Sequence, residues 1–249
     1  MPRDDDLVGR TFVELADTLV EGYDLIEFLQ HLAERAVELL GVTEAGVVLA
    51  DARGNLHALA SSSERMRLLE LIELQRADGP CLDCWRSGES VRADDLEEEA
   101  ARWPSFAPAA VEAGFRSVYA LPLRLRDDRI GALNLFAEGR DGLDEVDEAL
   151  GQAMADVATI GIIHERAMSD RTSFSDQLRA ALQTRITLEQ AKGMVIEQAG
   201  VDADEAFALI RRFGRATGTR LSEVARALTT RALAASDLTV TAGPRNPAE

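Results

Sequence analysis

Apolar residues follow two different periods along the first two thirds of the chain. Residues Leu25–Leu40 place leucine, phenylalanine and alanine at intervals of three and four, which predicts an amphipathic helix. Two pairs of short apolar runs, with a polar turn between the members of each pair, predict two hairpins. The helical period returns in residues 64–75 and 143–168, which predicts two further helices. The predicted strands are 45–50, 56–60, 117–125 and 129–136. This order predicts an α+β domain, in which a mostly antiparallel sheet has helices on one face and the long connection on the other.

The pattern changes after residue 170, where three helices account for the apolar positions and no further strand is predicted. The helices are expected at 174–198, from Asp202 to about 217, and from after Thr219 to Leu233; Asp202 and Glu205 resemble a capping box. The small, polar, proline-containing end predicts a disordered tail. The chain thus divides into an acidic arm (1–24), an α+β domain (25–143), a linker helix (144–183), an all-α three-helix domain (184–235) and the tail (236–249).

A heptad pattern runs along the linker helix. Apolar or small residues recur at alternating intervals of four and three residues, and the same register resumes after residue 173. The polar run 170–173 interrupts the pattern and predicts a pliable joint. A 3.5-residue period held this long favours a coiled-coil linker and a parallel homodimer. The alternative is that this helix only packs on the sheet of its own domain. The assigned seam residues are Val146, Leu150, Val157, Ile160, Phe174 and Leu178.

Composition limits the class of protein. The chain has 249 residues, of which 46% are hydrophobic and 5% aromatic, enough for one medium and one small domain with largely aliphatic cores. No run of 18 uncharged apolar residues occurs, and the acidic N-terminus lacks the apolar segment of a signal peptide. The two cysteines are consistent with a reducing compartment. We therefore expect a cytoplasmic protein that does not span a membrane.

The charge is distributed unevenly. The net charge of −17 would argue against a nucleic-acid partner, and residues 1–169 hold 16 basic and 34 acidic residues. Residues 207–231, in contrast, contain six arginines and one acid, which fits a polyanion site confined to that end. The alternative is a solvated basic face. The arginines placed at the end of one predicted helix and in the turn beyond it, where they suit phosphate contacts, are Arg211, Arg212, Arg215 and Arg220.

Two cysteines form a single C-x-x-C motif, Cys81 and Cys84. A zinc site would need two further ligands, and the three histidines are scattered in the sequence, so no metal is expected. A redox switch competes with the simpler interpretation that both cysteines line a pocket or loop. No glycine-rich phosphate loop follows a strand, no G-x-S-x-G elbow occurs, and no catalytic grouping is found, which argues against an enzyme.

Residues 185–231 closely resemble the ANTAR domain through R-I-T-L-E-Q-A-K-G-M-V-I, D-A-D-E-A-F-A-L-I-R-R and T-R-L-S-E-V-A-R-A-L. The resemblance implies a three-helix RNA-binding module that acts as a dimer, and family members bind tandem stem-loops in leader transcripts to prevent a terminator from forming. It makes Ala191, Lys192 and Gly193 the RNA-facing patch. Weaker candidates are Arg185 and the group of Arg211, Arg212 and Arg215. Lys192 is the one lysine among 27 basic residues, which suits a position that needs a compact ammonium, although chance also explains it.

Residues 25–168 resemble a GAF domain of the kind joined to ANTAR in actinobacterial regulators, through G-P-C at 79–81, R-W-P-S-F-A at 102–107 and G-A-L-N-L-F at 131–136. The resemblance implies a sensor of an unidentified small-molecule or redox signal, and Cys84 departs from the usual pattern. The resulting hypothesis is a signal-responsive RNA-binding antiterminator whose resting form partly covers the A-K-G surface. The alternative is a DNA-binding regulator, because short basic helices also suit the major groove.

Overall fold

The computed structural model describes residues 5–18, 24–126, 128–140, 143–168 and 174–240. The chain forms two compact units, Met1–Leu178 and Arg179–Glu249. The helices of the first unit are α1 Asp5–Thr18, α2 Leu25–Leu40, α3 Glu64–Arg76, α4 Pro80–Ser87, α5 Phe106–Glu112 and α6 Glu145–Met168. Its strands are β1 Glu44–Ala50, β2 Leu56–Ser61, β3 Val91–Ala93, β4 Ser117–Leu125 and β5 Asp128–Ala137. The later helices are α7 Phe174–Ala199, α8 Ala203–Thr217, α9 Leu221–Thr229 and α10 Asp237–Val240.

The five strands form one antiparallel sheet in the order β2-β1-β5-β4-β3. Helices α2 and α6 pack on one face, and α3 and α4 pack on the other. Alternate residues of each strand point to opposite faces, so both faces need apolar side chains, and the strands are almost wholly buried. The predicted α+β fold with helix-flanked antiparallel strands is therefore confirmed.

A hydrophobic core lies between the sheet and the connection that follows α3. Buried aromatic rings fill it, with Phe115 and Phe136 5.0 Å apart between ring centroids and Trp103 meeting Phe106 edge to face. Such rings bury large apolar areas, which explains how a connection with few regular elements holds its place over the sheet. The short helices α4 and α5 belong to this layer.

Two expectations about the C-terminal part differ from the structure. The last helix of the three was expected to reach Leu233, but α9 ends at Thr229 and Arg231 adopts a left-handed conformation with φ 60°. The tail expected to be disordered from residue 236 instead begins with α10, and Leu238 is fully buried. An apolar side chain that finds a place in the core orders its own segment, and the backbone N–H of Ala234 donates to the carboxylate of Asp237 at 2.9 Å. Residues 241–249 lie outside the described residues.

Candidate functional sites

Helices α8 and α9 form an amphipathic pair that separates apolar from basic residues. Helix α8 begins at an Asp202 N-cap, whose carboxylate accepts the Glu205 N–H at 2.8 Å, and ends at Gly218 with φ 65°. The two helices pack against each other, and their buried positions are apolar or small. Because the apolar stripe faces inward, the remaining positions are left to solvent. The buried residues are Ala206, Leu209, Ile210, Gly214, Leu221, Val224, Ala225 and Leu228.

Four arginines lie in the last two turns of α8 and at the N-cap of α9. Arg212, Arg215 and Arg220 are exposed, whereas Arg211 is half-buried with its guanidinium 5.6 Å from the ring centroid of Phe207. Desolvation, followed by the charge of Arg215, lowers the pKa of Arg211 to about 10, so this group remains charged at neutral pH. Arg211 and Arg215 therefore repel each other, and a polyanion that neutralises them would relieve the repulsion.

The A-K-G segment lies in the middle of α7, and its three residues differ in exposure. Ala191 is fully buried and Lys192 is 7% exposed, whereas Gly193 lies at the surface with no heavy atom within 4 Å of the place where a Cβ would stand. The Lys192 ammonium lies 2.9 Å from Glu189 Oε2, and Arg185 Nε lies 3.3 Å from Glu189 Oε1. Of the three residues assigned to RNA by resemblance, only Gly193 is therefore accessible in this conformation.

Helix α6 has two apolar faces. One face, with Met154, Ala155, Ala158 and Ile162, is buried. The other carries the predicted seam: Val146 is 62% and Ile160 53% exposed, and Leu150 and Val157 are half-buried. Packing on the sheet therefore uses residues other than the seam, and the two interpretations of this helix are compatible. Leu178, the last seam residue, is buried in α7. The Phe174 side chain and the joint 170–173 lie outside the described residues. The coiled coil therefore stays a prediction.

A cluster of polar groups that the sequence analysis did not identify lies inside the N-terminal unit. Glu70 and Glu73 of α3 are buried, and Glu70 Oε1 accepts from the Asn134 side-chain amide at 3.3 Å. Glu73 Oε1 accepts the backbone N–H of Cys81 at 2.7 Å, so it caps the first turn of α4, where Gly79 offers no side chain. Two carboxylates on the apolar side of α3 break its periodicity, and that break was the available signal in the sequence.

Gly79 is required at this cap for two reasons. Its φ of 154° is rarely adopted by residues with side chains, and a Cβ placed there would stand 2.5 Å from Glu73 Cγ. A substitution would push the carboxylate away from the helix that it caps. The G-P-C segment therefore positions α4 relative to Glu73.

Both cysteines are buried, free thiols in α4. Burial, reinforced by the negative charge of Glu73, raises the pKa of Cys81 well above its usual value and that of Cys84 to about 12. Because the thiolate is the reactive form, this environment disfavours thiol reactivity, and a redox role of the two cysteines stays a prediction. Across the described ranges, no group of three or more His, Cys, Asp or Glu side chains could hold a metal ion, and no helix is long and apolar enough to cross a membrane.

Comparison with known proteins identifies both domains. The GAF domain family matches residues 23–163, more than half of the chain, and the ANTAR domain family matches residues 176–228. No curated protein matches the chain.

Several solved structures share the fold of the N-terminal unit. The GAF domain of an Acinetobacter phosphoenolpyruvate-protein phosphotransferase has 14% identity and a TM-score of 0.52 over 67% of this chain and 96% of that one. Its counterpart from Coxiella burnetii has 16% identity and a TM-score of 0.51, with coverages of 64% and 95%. Free methionine-R-sulfoxide reductase from Neisseria meningitidis, solved with its substrate, has 20% identity and a TM-score of 0.51, with coverages of 66% and 90%. At these identities the likeness concerns the fold alone. The chain belongs to the GAF domain family and carries an ANTAR domain after its GAF domain, which joins a sensor domain to an RNA-binding regulatory domain.

Proposed function

We propose that this protein is a signal-responsive RNA-binding regulator that binds stem-loops in nascent leader RNA and thereby prevents transcription termination. The observation that carries the proposal is the group of exposed arginines at the α8–α9 junction, within the region that matches ANTAR. The GAF domain supplies the control, through a signal that is not identified. A protein that binds nascent transcripts acts in the compartment where transcription takes place.

Electrostatics restrict where RNA can bind. Residues 1–178 hold 17 basic and 36 acidic residues, a net charge of −19, whereas residues 179–249 hold ten basic and eight acidic ones, a net charge of +2. RNA is repelled by the first unit as a whole and attracted by the arginine-rich part of the second. Phosphate contacts from these arginines release counterions, so the affinity should fall steeply as the salt concentration rises.

Replacing Arg212 and Arg215 together with glutamine is expected to weaken binding to an RNA hairpin by about tenfold or more and to reduce the salt dependence by one to two charges. Fluorescence anisotropy at several salt concentrations measures both quantities. The matched control replaces Arg53 and Arg76, two exposed arginines of the other unit, with glutamine and removes the same charge. An equal loss in the two variants would mean that net charge, and not this surface, determines binding.

A second candidate function is DNA binding. Helices α8 and α9 are packed neighbours joined by a short turn through Gly218, an arrangement similar to a helix-turn-helix. A DNA duplex with the sequence of the hairpin stem distinguishes the two candidates in the same assay. Tighter binding of the duplex than of the hairpin would favour the DNA-binding regulator.

We propose that the signal acts by controlling the exposure of Lys192. In this conformation the ammonium is mostly buried and paired with Glu189, so it can reach RNA only if α7 rearranges or its surroundings open. A signal can produce this change only by binding the open arrangement more tightly than the closed one. The resting form therefore covers most of the A-K-G segment, and the active form exposes it.

A double-mutant cycle tests the role of Lys192. Glu189→Gln removes the ion-pair partner and is expected to raise hairpin affinity about fivefold, a coupling of roughly 1 kcal/mol. The same change in a Lys192→Ala background should give a smaller gain, because only the Arg185–Glu189 pair is then left to break. Lys192→Ala alone should weaken binding and lower the salt dependence by about one charge. Glu197→Gln, an exposed acid on the same helix, is the control for charge alone. Additive effects of Glu189→Gln and Lys192→Ala would contradict the assignment.

The seam supports a parallel homodimer. The exposed and half-buried apolar residues of the α6 seam extend over about four helical turns, from Val146 to Ile160. A repeat of the coiled-coil type on an exposed face is typical of helix pairing, and two copies would also bring two RNA-binding units together.

A further inference from the structure

The β4–β5 hairpin brings three arginines into one surface cavity of the otherwise acidic first unit. The cavity has a volume of about 320 Å³ and is lined by Ser87, Gly88, Glu89, Arg124, Arg126 and Arg129. We propose that it binds a small phosphate-bearing anion, independently of RNA recognition. No residue of the cavity belongs to the basic surface of the ANTAR region.

The pairing of the strands concentrates the positive charge. Arg124 lies directly opposite Arg129 in the β4–β5 register, and Arg126 follows two residues after Arg124. Like charges opposite each other on neighbouring strands destabilise a sheet. Arg124 and Arg126 form no hydrogen bond or ion pair with another described side chain, so no ion pair among the described residues offsets this repulsion. An anion between them would relieve it.

The third arginine is held in a fixed position. Arg129 Nη1 donates to the carbonyl oxygens of Trp85, at 3.4 Å, and of Arg86, at the C-terminal end of α4. Gly88 makes this approach possible, because its φ is 75° and a Cβ there would stand 3.0 Å from Arg129 Cδ. The guanidinium thus covers the negative end of α4, which would otherwise repel an anion from the cavity.

Arg126 occupies a backbone position that favours other residues. Its φ is 56°, in the left-handed region where glycine or asparagine costs less. The hairpin would be better stabilised by one of those residues, so the presence of arginine has an explanation in binding rather than in folding. The same fact provides a variant that removes the charge without harming the turn.

Charge and size define the class of ligand. Three arginines and Glu89 give the lining a net charge of +2, which a phosphate or pyrophosphate group neutralises and a single carboxylate does not. Guanidinium groups bind phosphate oxygens through paired, charge-assisted hydrogen bonds. A cavity of about 320 Å³ is at the lower end of the range for small-molecule sites, which fits a small phosphorylated compound.

The test is titration of the full-length protein with inorganic pyrophosphate by isothermal calorimetry. Arg126→Gly and Arg124→Thr are expected to keep the fold, because the first relieves a strained φ and the second removes a like-charge pair and supplies a residue that favours strands. Each should weaken pyrophosphate binding about tenfold, the usual effect of losing a hydrogen bond to a charged group. Arg76→Gln, an exposed arginine on α3, should leave it unchanged.

A parallel titration with single-stranded oligouridylate distinguishes a small anion from an RNA backbone. Saturable pyrophosphate binding that both variants weaken, with oligouridylate unaffected, supports the proposal. Absence of saturable binding at millimolar pyrophosphate, or equal binding by wild type and both variants, overturns it. Loss of oligouridylate binding without loss of pyrophosphate binding also overturns it and would assign the hairpin to RNA.

Discussion

Replacing Glu73 with glutamine should raise the free energy of unfolding by about 2 kcal/mol at pH 8 and leave it nearly unchanged at pH 5. Burial raises the pKa of Glu73 to about 7, because the carboxylate loses its hydration inside the GAF unit. A shift of this size corresponds to about 3 kcal/mol when the group is ionised. Glutamine carries no charge, and its side-chain oxygen can still accept the Cys81 N–H. Its NH2 group would stand in place of Glu73 Oε2, which has no hydrogen-bond partner among the described residues. The unpaired NH2 group costs about 1 kcal/mol, which reduces the gain to about 2 kcal/mol at pH 8.

The sign of the pH dependence follows from proton binding. The ordinary pKa of a glutamate is 4.5, and the pKa of Glu73 in the folded protein is about 7. At pH values between these two, the folded protein therefore holds more protons than the unfolded chain. The contribution of this group to stability is thus complete below pH 4.5 and is lost as the pH rises to about 7. Glu73→Gln removes this slope, which denaturant unfolding across the pH range measures.

Two further variants separate the charge of Glu73 from its hydrogen bond. Glu73→Leu also removes the charge but leaves the N-terminus of α4 without an acceptor, so it should be less stable than Glu73→Gln at every pH. Glu112→Gln, at the exposed carboxylate of the last residue of α5, should preserve the wild-type pH profile. If Glu73→Gln retains that profile as well, the carboxylate is ionised in the folded protein without penalty and the explanation is wrong.

Features with local signals were predictable from the sequence. Helix α2 begins and ends at the residues expected from its pattern, because Asp24 accepts the Ile26 N–H at its start and Gly41 adopts φ 65° at its end. The hairpins were found within one or two residues, since alternation and turn residues lie in the same short segment. The two domain families were also recognisable from local motifs.

Features that depend on distant contacts were not predictable in the same way. Strand β3 has three residues, too few for alternation to be seen, and exists because β4 pairs with it. Glu70 and Glu73 look like solvated acids until α3 is placed on the sheet, and Lys192 looks like a surface lysine until its face of α7 is buried. The cavity at the β4–β5 hairpin required the register that sets Arg124 against Arg129. Each of these sites is created by packing between segments that are separate in the sequence.

The other large effect is expected at the α6 seam, where Val146→Glu and Ile160→Glu together should convert a homodimer into a monomer. Both side chains are more than half exposed in the single chain, so the substitutions remove little buried apolar surface from the fold and thermal unfolding should change little. In a parallel dimer the four new carboxylates would face one another across an apolar interface, at a cost of about 3 kcal/mol or more, which corresponds to a dissociation constant raised on the order of a hundredfold. Sedimentation velocity across micromolar concentrations measures the change.

The control for the seam is Leu68→Glu, which introduces one glutamate at a half-exposed leucine of α3 and should leave the dimer intact. Dimerisation also increases the effective concentration of one RNA-binding unit near the other, so a protein that binds two adjacent stem-loops gains affinity without any new contact. The seam variant should therefore lose most of its affinity for a tandem hairpin and little of its affinity for a single hairpin. A wild-type protein that stays monomeric at every concentration, or a seam variant that remains a dimer, would show that this face of α6 serves another purpose.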